Sequence, residues 1–401
     1  MNKKVWIVAF VLLVSFISFS RSFLGLIGVV PWHYGYSDIF NADRINPVTA
    51  LKLPYLEVPI EYPLVTGFFI YLMWFLGKGL LGYAILSYIL LTLFAIITAL
   101  TLYKLCEILN VIKNRLWLFF VFAPSMIVFN IFNWDIIAVM FMVLAIYLYY
   151  RNKFILASLF LAIGFNAKLF PILMLPIMLL KTNWKNRIKM ALTFVIMFIV
   201  LNIYFMIKNF SVWKSTYLFH SLRQPNIDSV WALTGLSTQI INILSLALFL
   251  LFFALLSYNH KKYDAIKMGF LVVLLFLIVN KIFSPQYILW LLPFFVLSSY
   301  MTKMPFYLLE ASNLIIFITT STWMLASKKF MLLLISHLFT LLRSVILLYL
   351  LYIILKSSAS SIGTSTKNIY WVRHSFIFLR KTNNIYTTNY IFKLVIIPKA
   401  L

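Results

Sequence analysis

The stretch YPLVTGFFIYLMWFL, residues 62–76, decides the fold. It is apolar and has a proline, Pro63, near its start, so it reads as a helix. It has 15 residues, whereas crossing a bilayer takes about twenty. The expectation is a helix that lies at one interface or re-enters there. Every later segment takes its direction from that choice. If residues 62–76 crossed, Lys104, Lys113, Arg115, Arg151 and Lys153 would face outside. If they do not cross, the same residues fall inside, where an excess of Lys and Arg belongs.

Reading outward, residues 31–63 (PWHYGYSDIFNADRINPVTALKLPYLEVPIEYP) hold Asp38, Asp43, Glu57 and Glu61, four of the chain's nine carboxylates. They follow an apolar first helix, Val5 to Val29, whose basic start (Asn2, Lys3, Lys4) sets its N-terminus inside. No small-x-small cleavage site follows convincingly, so this helix is expected to be retained.

The 401 residues are 64% apolar and 11% charged. A soluble domain is about half apolar and carries about twice that charge. Long apolar runs recur as far as Leu355 and do not alternate, which excludes a large soluble core and a strand barrel. The fold expected is all-α, a polytopic transmembrane helical bundle of about twelve spans. An outward loop over 31–78 carries the interfacial helix. The bundle covers 1–356, and a basic cytoplasmic tail, 357–401, begins with a Ser/Thr-rich linker. The net charge of +25 is spread over short connections, where it meets lipid headgroups, so nucleic acid is not an expected partner. Cys106 is the single cysteine, which excludes an internal disulfide and a thiolate cluster. No glycine-rich phosphate loop, HExxH pattern or internal repeat is present.

On this topology the unusual polar residues gather at the outer ends of helices. They are the acidic loop, Asn133 with Asp135, Asn166 with Lys168, Arg223 with Asp228, and Lys281 with Gln286. The inner connections hold plain Lys and Arg. Carboxylates above a bundle can act as general base or metal ligands. Glu57, Glu61 and Asp135 are candidates for binding the acceptor or a divalent cation. Lys168, Arg223 and Lys281, with Gln286, can hold a lipid-linked phosphate. Trp32, Tyr34, Tyr36, Trp134 and Trp231 offer flat faces to sugar rings. Together these suggest sugar transfer from a phospholipid carrier. Plainer roles stand beside these. Asp38 can be a cap or turn residue, Asp43 a partner of Arg44, Glu61 and Asp135 helix caps. Lys168 can snorkel, and His220 can be an ordinary loop residue. Arg343, mid-way along the last helix, calls for a partner inside the bundle that the sequence does not name.

The motifs Tyr36-Ser37-Asp38, Glu61-Tyr62-Pro63-Leu64, Asn133-Trp134-Asp135, Ala167-Lys168-Leu169-Phe170-Pro171 and Lys281-Ile282-Phe283-Ser284-Pro285-Gln286-Tyr287 come in a telling order. Over Val5 to Tyr300 that order resembles the GT-C class of integral-membrane glycosyltransferases. In particular it resembles glycosyltransferase family 87 and the related lipid-dependent mannosyltransferases. The family's usual double proline after tyrosine is here Tyr62-Pro63-Leu64. The resemblance implies a polyprenyl-phosphate sugar donor, often of mannose, and a glycan or lipid acceptor. It implies Asp38 as catalytic base in an inverting transfer at the outer face of a cell membrane. No cofactor beyond a possible divalent cation is implied. The alternatives are a transporter or flippase of a lipid-linked sugar or anionic solute, and a non-catalytic assembly protein.

Overall fold

The computed structural model describes residues 3–41, 45 and 51–357. Asp43, Arg44 and the tail beyond residue 357 lie outside them. The described chain is helical, and among its residues no strand forms. A lone bridge joins Pro54 and Val58. The longer helices are α1 (Lys3–Leu26), α2 (Leu64–Gly77), α3 (Leu80–Ile108), α4 (Asp135–Tyr150), α5 (Phe154–Ala167) and α6 (Trp184–Lys208). They continue with α7 (Phe210–Leu222), α8 (Thr238–Tyr258), α9 (Ala265–Val279), α10 (Lys303–Leu325) and α11 (Phe330–Lys356). Six of them, α1, α3, α6, α8, α10 and α11, are long and apolar enough to cross a membrane. α6 and α8 bury only a handful of side chains and turn the rest outward, as helices in lipid do.

Contacts between helix ends sort the connections into two sets. Phe19 meets Tyr88 with ring centroids 4.8 Å apart, while Lys4 acts electrostatically on Glu107. α1 and α3 are therefore antiparallel, and the chain between them leaves and returns at one end. Between them α2 packs along α3, with the Phe69 and Phe94 ring centroids 6.2 Å apart. It closes on α3 through Lys78, whose left-handed backbone caps α2. At the opposite end Lys104 lies over Tyr147, the Tyr149 hydroxyl donates to the Lys181 carbonyl, and Lys181 donates to that of His260. Arg115 donates to the carbonyls of Phe295, Val296 and Met301 at 2.8–3.2 Å. That end collects most of the Lys and Arg. Asp38, Glu57, Glu61 and Asp228, on connections, and Asp135, which opens α4, sit at the other.

Local sequence explains the breaks. Pro124 removes a helical donor, and the chain passes from a π-turn at Trp117–Val121 through extended Ala123 into a short helix, Pro124–Phe129. α5 ends at Ala167, Lys168 is extended, and a 3₁₀ turn follows at Phe170–Leu173. The segment Lys208 to Leu233 contains α7, started by the Asn209 side chain accepting from Val212 N–H at 3.2 Å. Its thirteen residues span about 20 Å, too short to cross.

α1 buries Ile7, Val11, Val14, Ser15, Ser18, Ser22 and Gly25, one helical stripe of small and branched residues. Small residues there let backbones approach. At Gly25 a Cβ would stand 2.6 Å from Gly35 Cα, in the turn that leads to Asp38. Gly25→Ala is expected to destabilise the protein by about 1–3 kcal/mol, the usual cost of overpacking, read as a lowered melting temperature in detergent.

Candidate active site

The loop after α1 is fixed by one cation. Arg21 is the only charged residue between Val5 and Val29. It donates to the Tyr34 carbonyl and, at 3.3 Å each, to those of Tyr36 and Val128, with Phe317 under its guanidinium. Ser37 Oγ donates to the Phe132 carbonyl at 2.7 Å. Asp38 follows in a turn closed by Asn41 N–H on its carbonyl at 3.3 Å. The Tyr36 hydroxyl accepts from Asn41 Nδ2 at 3.1 Å and donates to Asp38 Oδ1 at 3.0 Å.

Lys168 stands at the break after α5. Its ammonium pairs with Asp135 Oδ1, and Asp135 Oδ2 accepts from Trp290 Nε1 at 2.8 Å. Trp290 is stacked between Phe170, at 4.2 Å, and Tyr287, at 4.0 Å. The same ammonium is 4.5 Å from the Tyr287 centroid and 5.2 Å from that of Trp290. The cation thus sits against aromatic faces, a favourable place for it.

α7 zips onto the chain ahead of α2. Asn209 Nδ2 donates to the Leu56 carbonyl and Thr216 Oγ1 to that of Ile60, both at 2.8 Å. His220 Nε2 lies 3.1 Å from the Glu61 carbonyl, and Arg223 donates to Glu61 Oε1 at 3.0 Å. Burial first, then the nearby Lys168, Arg223 and Lys281, push the His220 ring down to about 4. The neutral ring must therefore hold its proton on Nε2 to donate to that carbonyl.

Asp38, Glu61, Lys168, Arg223 and Gln286 all line one cavity of about 890 Å³, together with His220, Asn226, Asp228 and Ser284. That size is within the range of small-ligand sites. Three other candidates are not on its wall. Asp135 is buried behind Lys168. Lys281 is turned away, donating to the Ser221 carbonyl at 2.8 Å. Burial, then Arg223, lower its ammonium. Glu57 is exposed and accepts from Leu53 N–H at 2.6 Å within its own loop. Arg21 and Trp290 escaped the sequence reading, though Arg21 was visible as the lone cation of α1, and Tyr287 was quoted in a motif but given no role. Asp228 was placed at the outer end but given no role. Burial raises its carboxyl, and Arg343 opposes that rise. Among the described residues no three His, Cys, Asp or Glu side chains gather to hold a metal ion.

The sequence model of glycosyltransferase family 87 matches residues 61–279, more than half of the chain. The chain belongs to this family. It is an integral-membrane glycosyltransferase, which decides against the transporter and the non-catalytic assembly protein. No curated protein matches it. Within this enzyme the family match takes in Glu61, Asp135, Lys168 and Arg223, and leaves Asp38, Lys281 and Gln286 outside.

Two outcomes follow for the transferase. Lys168→Met strips a buried carboxylate of its counter-ion and is expected to cost about 3–5 kcal/mol. The double variant Asp135→Asn/Lys168→Met is expected to regain most of that loss in the same melting assay. The folded His220 ring takes up its proton only near pH 4, the unfolded ring near pH 6.5. Between those values the unfolded chain binds more protons, so stability falls as pH falls. His220→Gln is expected to flatten that slope when melting temperatures are compared across this window.

Proposed function

We propose that this glycosyltransferase moves a hexose, mannose by the family resemblance, from a polyprenyl-phosphate donor to a hydroxyl of a lipid-linked or cell-envelope glycan. The observation that carries the reading is one cavity lined by a buried carboxylate, Asp38, and by two cations, Lys168 and Arg223. Asp38 accepts the acceptor's hydroxyl proton as its oxygen attacks the anomeric carbon from the face opposite the phosphate. The new glycosidic bond forms as the bond from the anomeric carbon to the phosphate oxygen breaks, and the configuration inverts. The polyprenyl phosphate leaves with one more negative charge than the diester had, so it needs no proton. Lys168, Arg223 and the Gln286 amide stabilise that growing charge, a term that is often the largest in catalysis. Tyr36 orients the Asp38 carboxylate through its hydroxyl, and Asp135 orients Lys168. Lys281 serves the phosphate side from behind by holding the end of α7. Glu61 both holds Arg223 and faces the acceptor.

In this reading the end of the bundle carrying the cavity is the outer face of the cell membrane, and α2 lies at that interface. Both termini are cytoplasmic, with about twelve spans between them. The concentration of Lys and Arg at the end opposite the cavity supports that orientation.

The test is transfer of radiolabelled mannose from polyprenyl phosphate to lipid extract by the purified enzyme. Asp38→Asn is expected to lower turnover by about 10² to 10⁴ with the fold intact. Turnover near that of the wild type in this variant sinks the role of Asp38. No transfer by the wild type sinks the donor assignment.

A further inference from the structure

Arg343 lies mid-way along α11, 1% exposed, inside a helix apolar enough to cross a membrane. A guanidinium there is costly unless its donors are met. Its fork takes an amide and two carbonyls. Nη1 donates to Asn313 Oδ1 on α10 at 2.9 Å. Nη2 donates to the Asp228 carbonyl and, at 3.2 Å, to that of Phe283. The Phe283 ring lies 3.9 Å from the guanidinium carbon. Asn313 passes the connection on, donating from Nδ2 to the Pro285 carbonyl at 2.8 Å.

The three carbonyls belong to two loops, 226–229 after α7 and 280–286 after α9. The loops are also joined to each other. Asn226 N–H donates to the Lys281 carbonyl at 3.1 Å, and Asn226 Nδ2 to Ser284 Oγ at 2.6 Å. Together they make one wall of the cavity, on which Asn226, Asp228, Ser284 and Gln286 face the substrate space. Tyr287, the next residue, carries the ring against Lys168. A planar fork that fixes separate carbonyls at once is a task for arginine, since a lysine offers a single ammonium point. A helix pair needing only cohesion at this depth is served as well by apolar packing, which avoids the desolvation cost. The directed donors therefore point to a task at the wall.

We propose that Arg343, acting with Asn313, is a positioning residue for the glycosyl transfer: it locks loops 226–229 and 280–286 into the wall that presents Asp228 and Gln286 to the hexose donor. This rests on the donor assignment given above.

The test uses the full-length enzyme in detergent with polyprenyl-phosphate mannose as the varied substrate. Asn313→Leu keeps the branching of the side chain and removes the amide, and Arg343→Lys keeps the charge and removes the fork. Each is expected to raise the donor KM about ten-fold, with kcat per folded enzyme changed less than about two-fold, beside a lowered melting temperature that still leaves the enzyme folded under assay. Arg343→Lys is expected to exceed Asn313→Leu, because it releases both loops. A second readout does not need the donor. Ser284→Cys in a Cys106→Ser background gives one thiol on the wall, and both variants are expected to speed its labelling by a soluble maleimide. An unchanged donor KM with activity falling only as folded protein is lost, or equal labelling rates, overturns the proposal. A wild type inactive toward this donor, with labelling still accelerated in the variants, overturns the donor assignment and leaves the positioning role supported.

Discussion

The pairing of Lys168 with Asp135 is the constraint around which the site is built. A lysine at a helix break inside an apolar bundle must meet a counter-charge or water. Asp135 meets it from the first turn of α4, where exposed N–H groups already favour a carboxylate. Its second oxygen is taken by Trp290, which fixes the indole between Phe170 and Tyr287. One ion pair thus decides where three elements meet: the start of α4, the break after α5 and the run that follows α9. The aromatic stack returns the favour by giving the ammonium a π face. The cation is held in one place at the cavity wall.

The opposite wall follows from another necessity. An irregular segment packed against apolar helices must have its carbonyls satisfied. Leu56, Ile60 and Glu61 find their donors on α7, from Asn209, Thr216 and His220. Those residues, with Arg223, recur at intervals of seven, four and three, one face of a helix. α7 is therefore amphipathic in an unusual sense. Its polar stripe is matched to backbone, and its last residues deliver Arg223 to Glu61. Asn202 on α6 completes the support, accepting from Trp213 Nε1 at 2.9 Å and donating to Asn166 Oδ1 at 2.8 Å. The end of α5, which carries Lys168, and α7, which carries Arg223, are tied through that asparagine.

Much of this was legible beforehand, and the rest was hidden for identifiable reasons. Hydropathy and the placement of Lys and Arg sorted the connections into two ends, because burial and charge along a helix are one-dimensional properties. The loop of Asp38 was legible from its carboxylates. α7 was not, since FSVWKSTYLFHSL is too short and too polar to read as a span, and its stripe has meaning only beside the chain ahead of α2. Glu57 and Glu61 look alike in sequence, but the chain between them is not helical, and they diverge. Lys281 resembles Lys168 in its setting, yet its ammonium ends on the Ser221 carbonyl, a partner 60 positions away. Arg21 was legible as the only charge in an apolar helix, and Arg343 as one needing a partner. Which carbonyls they would meet is a tertiary fact.

Those two arginines explain how a family match confined to residues 61–279 is compatible with a site that extends beyond it on both sides. The matched region supplies Lys168, Arg223, Asp135 and Glu61, the charge-bearing half. Asp38 precedes it, and Gln286 follows. Arg21, on α1, reaches into the matched region to the Val128 carbonyl, and Arg343, on α11, reaches into it to the Asp228 carbonyl. Each fork also holds an unmatched loop, at Tyr36 in one case and Phe283 in the other. A carbonyl is present whatever side chain stands at its position. Docking through guanidinium and carbonyl therefore places few demands on the sequence of the docked segment. The outer helices can assemble onto the central ones by geometry alone, and the loops they bring can differ in sequence without loss of the joint.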